Sequence, residues 1–500
     1  MLALSGRRET PVEARVADLV LLADALEAAD VRVLLARDDH HRPILVVEES
    51  DRLAATRALV GACADEPFLA VALKRDLTPR GEPVLIADGD LAPTRTDRLL
   101  SLHRPRVDAA GVLHDDPASG VRFEFWVRQG AEVRVPAPNA LTRRRFVEAD
   151  VRPATVERYG RTWQTIRDMF TDLASDVTFP VDMVFSWVDG TDKEWQRARA
   201  RRMASYVVGE GDDSEARYRQ IDELRYALRS VHTHLPWVRT IYIATDSKAP
   251  AWLADHPGVR IVRSEEFFPD QSWLPTHNSQ AVESQLHRIE GLSEHFIYSN
   301  DDMFIGRHLR PEVFFSPGGI SRFIEADTRI GIGDNDPARS GFENAARVNR
   351  RLLRERFGRV ITRHLEHAAT PLRRSVIAEM EREFPEDFAA TGASPFRAKD
   401  NISVTNSLYH YYALLTGRSV QNTDSSVLYV DTTTHKGLGL LKRLGKRRDQ
   451  DFFCLNDGSF PEVAPDVRAR KVTEFLERYF PLPAPWERTD DAPAEPARAG

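Results

Sequence analysis

The chain has 500 residues, of which 42% are hydrophobic and 29% are charged, a composition typical of globular proteins with several domains. Its net charge of -7 argues against a surface that binds nucleic acid. Its two cysteines, Cys63 and Cys454, are too few for a disulfide framework or a cysteine-rich zinc site.

The sequence predicts neither a secretory signal nor a membrane span. Its first residues lack a cationic segment followed by a long apolar core. No run of about 18 apolar residues occurs along the chain, so no transmembrane segment is predicted. We therefore expect a cytoplasmic protein, with a peripheral position at the inner face of the membrane as the alternative.

Residues 1–140 have the pattern of a small α/β domain. Strand-like apolar runs alternate with one helical pattern, at 31–37, 43–49, 51–66 and 68–74. This part of the sequence contains no evident catalytic group, so its role stays open. A linker or connecting helix is predicted over 141–179.

Residues 180–480 carry a different pattern. From residue 181 to about residue 310, strands and helices alternate, which predicts a mostly parallel sheet covered by helices. A mainly helical part is predicted for residues 345–420. Residues 481–500 are rich in proline, alanine and charge, which predicts a disordered tail.

Acidic residues follow the strand-like runs of this second part. Asp189 and Gly190 follow the first run, Asp246 follows the second, and the pair Asp301–Asp302 follows the third. Because the carboxyl ends of parallel strands meet at one edge of a sheet, these carboxylates predict a site there for Mg²⁺ or Mn²⁺. The alternative is that each aspartate simply forms a turn or caps a helix, although capping explains an adjacent pair less well.

Two helices are predicted between these strands. In the helix over 217–231, Arg225 lies beside the apolar face. The helix over 278–292 begins with Asn278 or Ser279 as its N-cap, and its free N–H groups suit a phosphate. An ordinary capped helix without a ligand remains the alternative.

Several longer stretches resemble the conserved regions of Stealth proteins. Residues 181–195, 217–246 and 274–306 resemble the first two regions, residues 367–388 with 394–401 resemble the third, and residues 451–458 resemble the fourth. This family includes bacterial capsular and exopolysaccharide phosphotransferases and the animal lysosomal-enzyme N-acetylglucosamine-1-phosphotransferase. The resemblance covers about 180–480 and leaves the first domain outside it.

The resemblance implies a glycosyltransferase-A-like, Rossmann-type α/β core, a UDP-sugar donor, a glycan acceptor and Mg²⁺ or Mn²⁺. It implies catalytic roles for His367, Arg397 and Asp302, and metal binding by Asp301 and Asp302. Donor binding is expected at Trp187, Asp189, Gly190, Arg225, Asn278, Ser279 and Asn300. Further site residues are expected at Asp246, Asp400, Asn456 and Asp457. One departure is Thr370, which stands where some members carry a second histidine.

The expected reaction is transfer of a hexose-1-phosphate, for example N-acetylglucosamine-1-phosphate, from a UDP-sugar to a glycan hydroxyl. In this reaction His367 is the base, Arg397 clamps phosphate oxygens, and UMP leaves. The setting is capsule or exopolysaccharide synthesis, with peripheral association with the assembly machinery. A metal-dependent glycosyltransferase that releases UDP, and a glycan-binding protein without catalysis, are the alternatives. Which aspartate binds the metal and which is catalytic stays open.

Overall fold

The computed structural model describes residues 3–7, 9–91, 94, 96–108, 111–114, 116–203, 221–458 and 461–488. The chain divides into two compact units, Met1–Leu173 and Ala174–Gly500. The start of the helix predicted over 217–231, at 217–220, and the end of the predicted tail, at 489–500, lie outside the described residues.

In its described residues, the first unit combines two α-helices with a branched sheet, a three-stranded sheet and a two-stranded hairpin. Its elements are β1 (Leu4–Arg7), α1 (Pro11–Ala28), β2 (Val33–Arg37), β3 (Pro43–Glu48), α2 (Arg52–Ala62), β4 (Leu69–Leu73), β5 (Pro79–Leu85), β6 (Leu99–His103), β7 (Arg106–Asp108), β8 (Leu113–His114), β9 (Val121–Gln129), β10 (Glu132–Arg134), β11 (Arg145–Val147), β12 (Pro153–Arg158) and β13 (Arg161–Ile166).

Strand β9 organises this unit. It pairs in parallel with β3 and antiparallel with β6, and its end pairs with β10. Helix α1 begins at a capping box, in which the hydroxyl of Thr10 accepts from the N–H of Glu13 and the Glu13 carboxylate accepts from the N–H of Thr10. Leu22 and Leu26 of α1 share one apolar core with Phe123 of β9. The small α/β domain expected at the start of the chain is present.

The linker or helix predicted over 141–179 is wrong for most of its length. Strands β12 and β13 pair antiparallel within it, around a turn at Tyr159 and Gly160, both with positive φ. Trp163 on β13 is buried in the core of the first unit. This hairpin therefore belongs to the first unit, which extends to Leu173.

The second unit has a central sheet, a helical part and a smaller sheet. Its elements are β14 (Val181–Ser186), α3 (Lys193–Met203), α4 (Glu223–His234), β15 (Ile241–Ala244), β16 (Val259–Val262), α5 (Ser264–Phe267), α6 (Ser279–Gln285), β17 (His295–Asn300), β18 (Met303–Ile305), β19 (Ser321–Phe323), β20 (Glu325–Arg329), α7 (Gly341–Phe357), β21 (Arg363–Leu365), β22 (Thr370–Arg373), α8 (Arg374–Glu383), α9 (Pro385–Ala393), α10 (Tyr409–Leu415), β23 (Ser419–Gln421), β24 (Val427–Asp431), α11 (His435–Arg447), β25 (Phe452–Asn456) and α12 (Pro465–Tyr479).

The central sheet has the order β16-β15-β14-β17-β22. Strands β16, β15, β14 and β17 are mutually parallel, and β22 alone runs antiparallel to β17. On β14, Met183 and Phe185 pack into one apolar core while Val184 packs into another on the opposite face. Burial of both faces explains the continuous apolar pattern of the strand and confirms the predicted α/β class with a mostly parallel sheet.

The end of the described chain is packed, not disordered. Leu482, Ala484 and Trp486 are buried, and the carboxylate of Glu487 accepts hydrogen bonds from Arg225 and Arg229 of α4. The tail prediction is therefore wrong for residues 481–488. Among the described helices, none combines the length and the apolarity that crossing a bilayer requires.

Candidate active site

The strand ends of the central sheet meet as the sequence predicts. Ser186, the last residue of β14, is in register with Ala244 of β15 on one side and Asn300 of β17 on the other. The residues that follow these strands therefore come to one edge of the sheet, where ligands bind in open α/β folds. Asp301 and Asp302 occupy the turn between β17 and β18 at this edge.

The acid pair places two carboxyl groups next to each other at the sheet edge. Burial, together with the charges of Asp302 and Glu223, raises the pKa of the Asp301 carboxyl well above its usual range. Among the described residues, His, Cys, Asp and Glu side chains nowhere form a group of three or more able to hold a metal ion. Two adjacent carboxylates nonetheless fit Mg²⁺ or Mn²⁺, because such ions commonly take one or two carboxylates and complete their shell with phosphate oxygens and water.

His367 lies at a turn between β21 and β22. The N–H of Ala368 donates to the carbonyl of Glu366 over 2.9 Å, which places His367 at the apex. Its ring centroid is 5.1 Å from that of Tyr429. Burial lowers the pKa of His367, and the nearby charge of Asp302 opposes this shift. The structure thus brings the predicted base close to the acid pair, in a form that favours the neutral imidazole.

Arg397 is anchored to the start of α6. Its Nη2 atom donates to the hydroxyl of Ser279 over 2.8 Å. On its other side it packs against Gly341, the first residue of α7, where an added Cβ would lie 2.7 Å from the Cβ of Arg397. The close approach requires glycine, because any side chain would displace the arginine. The ring of Phe342, the next residue of α7, lies 6.2 Å from the His367 ring, so the first turn of α7 lies near both predicted catalytic side chains.

Asn278 holds the segment that carries Arg397. Its side-chain amide donates to the carbonyls of Ser394 and Phe396 and to Asn401 Oδ1, at 2.9 to 3.2 Å. Its own Oδ1 accepts from the N–H of Gln280, which makes Asn278 the predicted N-cap. The residue is 1% exposed. The structure therefore gives Asn278 a positioning role, where the sequence predicted contact with the donor.

Glu283 on α6 is a site residue that the sequence analysis missed. Its carboxylate is buried and accepts from the Thr405 hydroxyl at 2.7 Å and from the Tyr298 hydroxyl at 3.2 Å. The same Tyr298 hydroxyl lies 2.8 Å from Asn300 Oδ1. Burial raises the pKa of Glu283, and the charge of Arg397 opposes the shift. An acidic residue beside the inward-facing apolar positions of a predicted helix was the signal that could have revealed it.

Trp187, Asp189 and Gly190 were also predicted to bind the donor. In the structure they contact other groups of the protein. Trp187 is buried in an apolar core, so its ring is not exposed for stacking. Asp189 Oδ1 accepts from the N–H and hydroxyl of Thr191, and the carbonyl of Gly190 accepts from the Gln196 side chain. These contacts fit the alternative reading of Asp189 as a turn residue.

Asp246, Arg225 and Asp400 also contact other protein groups. Asp246 Oδ1 accepts from the N–H of Ser264 at the start of α5. Arg225 pairs with Glu487 over 2.6 Å, so its charge serves the packing of the end of the chain. Asp400 is exposed and pairs with Lys399.

The fourth region contributes a buried ion cluster beside the acid pair. Arg468 of α12 is 3% exposed, pairs with Asp457 and donates to the Thr432 hydroxyl at 2.8 Å. Glu223 lies 4.0 Å from the same guanidinium, and burial raises its pKa to about 7. Asp457 is thus part of an ion pair, and neither Arg468 nor Glu223 was predicted, because their partners lie far away in sequence.

The arrangement combines the groups that phosphoryl-type transfer needs. Two carboxylates suit a divalent cation, an anchored guanidinium suits phosphate oxygens, and an imidazole with a lowered pKa suits a hydroxyl that must lose its proton. All of these groups lie in the second unit.

Four family profiles match the second unit. They are described as Stealth protein CR1, conserved region 1; CR2, conserved region 2; CR3, conserved region 3; and CR4, conserved region 4. They match residues 179–207, 217–323, 366–414 and 442–497 in that order. Asp301, Asp302, His367 and Arg397 all fall within these regions.

Curated relatives extend the similarity to nearly the whole chain. Exopolysaccharide phosphotransferase CpsY of Mycobacterium tuberculosis is 57% identical over 96% of this chain and 89% of its own length. Its counterpart in Mycobacterium leprae is 58% identical over 96% of this chain and 88% of its own length. An exopolysaccharide phosphotransferase of Nocardia farcinica is 55% identical over 95% of this chain and 88% of its own length. The similarity therefore includes the first unit.

Two glycosyltransferases of known structure resemble this chain much more weakly than these relatives do. Galactosyltransferase LgtC, in complex with donor and acceptor sugar analogs, has a TM-score of 0.29 at 12% identity over 61% of this chain and 96% of its own. The bifunctional glycosyltransferase WbbM has a TM-score of 0.31 at 10% identity over 64% of this chain and 53% of its own. At these scores the likeness carries no argument about function.

Proposed function

We propose, from the premise that this chain belongs to the Stealth family of exopolysaccharide phosphotransferases, that it moves a hexose-1-phosphate from a UDP-sugar to a glycan hydroxyl. The family makes it a transferase that acts in exopolysaccharide synthesis. The donor, the transferred group and the acceptor hydroxyl are the proposal.

The observation that carries the proposal is that Tyr429 links His367 to Asp302. Its ring centroid lies 5.1 Å from that of His367, and its strand neighbour Cys454 donates to Asp302. An imidazole whose pKa is lowered by burial is neutral at the pH of the cell and is able to accept a proton. The acid pair next to it is the natural place for a diphosphate with its cation. A base and a diphosphate site at one sheet edge suit the attack of a hydroxyl on phosphorus.

The proposed reaction conserves atoms and charge as follows. The acceptor oxygen forms a bond to the sugar-bearing phosphorus, and the bond from that phosphorus to the oxygen bridging to the UMP phosphate breaks. The acceptor proton goes to His367, and UMP leaves with the bridging oxygen. Transfer of this kind depends on positioning and on neutralising the charge of the phosphate oxygens more than on covalent help from the protein.

The protein's own residues divide this work. Asp301 and Asp302 would hold Mg²⁺ or Mn²⁺, which neutralises phosphate charge when bound. Arg397, held by Ser279 and by its packing on Gly341, would contact phosphate oxygens with the planar geometry that lysine lacks. His367 would orient the acceptor hydroxyl and remove its proton. Because UDP-sugars are made in the cytoplasm, we place the reaction there, with peripheral association with the capsule or exopolysaccharide assembly machinery.

The product identifies the bond that forms. We expect a ³¹P spectrum of the product from a UDP-hexose and a saccharide acceptor to show a phosphodiester signal that joins the two sugars. The alternative glycosyltransferase would give a product without phosphorus. A phosphorus-free disaccharide as the sole product would therefore overturn the proposal.

A further inference from the structure

Tyr429 presents an aromatic ring to solvent beside His367. Its side chain is 42% exposed, although its ring centroid lies only 5.1 Å from that of His367, at an interplanar angle of 64°. Among the described residues, it is the one aromatic side chain that ranks with the exposed large apolar groups. An exposed ring next to a catalytic group calls for an explanation, because large apolar surfaces are usually buried or used for binding.

The protein fixes this ring in place. Tyr429 pairs in parallel register with Cys454 on β25, and the Cys454 thiol donates to Asp302 Oδ2 over 3.5 Å. The side-chain amide of Asn456 donates to the Tyr429 hydroxyl, so one end of the ring is held. Partial burial of Tyr429 raises the pKa of its phenol to about 12, so the hydroxyl carries no charge at neutral pH. The ring is thus preorganised at the acid pair, with one part of its surface left open.

We propose that Tyr429 binds the acceptor, by packing its exposed ring against the apolar face of a sugar unit of the acceptor glycan. A pyranose carries C–H groups on one face and hydroxyls around its rim, so an aromatic ring with a polar edge is its natural partner. The inference rests on the proposed function, in which His367 acts on the acceptor hydroxyl. Tyr429 lies beside the His367 ring, whereas Arg397, which we assign to the donor phosphates, contacts Ser279 of α6 and Gly341 of α7.

The contact also explains the predicted site residue Asn456. Its amide donates to the phenol oxygen of Tyr429 and so orients the ring. Asn456 is therefore a positioning residue. Stacking of the donor's uracil on Tyr429 is the competing assignment, and steady-state kinetics separates the two.

The test uses the full chain with UDP-N-acetylglucosamine and with other UDP-hexoses as donors. The acceptor probes are the methyl glycosides and disaccharides of glucose, galactose, mannose and N-acetylglucosamine. Tyr429→Ala removes the ring, Tyr429→Phe keeps the ring and loses the hydroxyl, and Val420→Ala removes a 44% exposed apolar group on β23 as the matched control. Circular dichroism and thermal unfolding establish that each variant is folded.

We expect Tyr429→Ala to raise the acceptor KM by about tenfold or more, the effect of losing one good packing contact, with little change in the donor KM. Tyr429→Phe should recover most of the acceptor affinity, and Val420→Ala should behave as the wild type. An unchanged acceptor KM in Tyr429→Ala, or a rise in the donor KM instead, would overturn the assignment while leaving the proposed function intact. Absence of nucleotide release with every donor–acceptor pair would overturn the proposed function and this inference with it.

Discussion

The Nη2 atom of Arg397 donates to the hydroxyl of Ser279 over 2.8 Å, and the two residues are 118 positions apart in the chain. Ser279 is the first residue of α6, directly after the N-cap Asn278, and the N–H groups of Gln280, Ala281 and Val282 donate to Asn278. The guanidinium therefore reaches this helix end from the third conserved region, on a segment that Asn278 holds in place. The contact joins two conserved regions of the family, which in the proposed function serve the donor phosphates together.

Replacing Arg397 should affect donor binding and turnover together. We expect Arg397→Ala to lower kcat/KM for the donor by about 10²-fold or more, since a charged contact to phosphate acts in the bound state and in the transition state. Arg397→Lys should recover only part of this loss, because lysine lacks the planar fork. Ser279→Ala should show a smaller defect of the same kind. Equal activity of the lysine variant and the wild type would contradict a bidentate contact.

Replacing His367 should affect turnover and leave donor affinity nearly intact. We expect His367→Ala to lower kcat by about 10²- to 10⁴-fold, the usual contribution of a general base. Since burial lowers the pKa of His367, the wild-type rate should fall as the pH drops through a value below the usual ~6.5 for histidine. This acidic limb of the pH–rate profile should disappear in the alanine variant. If the limb persists there, another group is the base.

Removing the cation or one of its carboxylates should abolish most activity. We expect Asp302→Asn to lower turnover by about 10²-fold or more, because it removes one negative charge from the proposed cation site. Chelation by EDTA should stop the reaction, and added Mg²⁺ or Mn²⁺ should restore it. Asp400→Asn, which alters an exposed carboxylate paired with Lys399, is the control and should stay active. Full activity in EDTA would show that the acid pair has another role.

Replacing Glu283 should lower stability and weaken donor binding, because two hydroxyl groups donate to its carboxylate. Glu283→Gln places an amide where hydroxyls of Thr405 and Tyr298 donate, so we expect a loss of about 1–3 kcal/mol in unfolding free energy and a higher donor KM. Asp182→Asn is the matched control, because Asp182 is equally buried on β14 and pairs with Arg239 instead. It should lower stability and leave the donor KM unchanged. Identical kinetic effects in the two variants would make Glu283 a purely structural residue.

The strand-end site was predictable because its pattern is local. Continuous apolar runs followed by aspartate mark buried parallel strands, and the register of Ser186 with Asn300 confirms that these strands end at one edge of the sheet. The N-cap at Asn278 was equally local. His367 and Arg397 had no such signal of their own, and only the resemblance to Stealth proteins selected them.

The remaining site residues depend on contacts between distant parts of the chain. Arg225 was predicted to bind the donor because its ion pair with Glu487, which lies 262 positions away, is not visible in the local sequence. The roles of Glu283 and Arg468 could not be predicted, because they depend on burial beside partners that are distant in the sequence. The prediction of a linker or helix over β12 and β13 was wrong for a different reason. The alternating pattern of the two strands and the turn at Gly160 were local signals of a hairpin, and the prediction overlooked them.

The nucleotide released from the donor tests the central claim most directly. Purified protein is incubated with a panel of UDP-hexoses, a saccharide acceptor and Mg²⁺ or Mn²⁺, and the nucleotide product is separated by ion-exchange chromatography and identified by mass. Attack on the sugar-bearing phosphorus leaves UMP, so we predict UMP in amounts equal to the phosphodiester formed. Release of UDP in its place would mean attack on the anomeric carbon and would contradict the account.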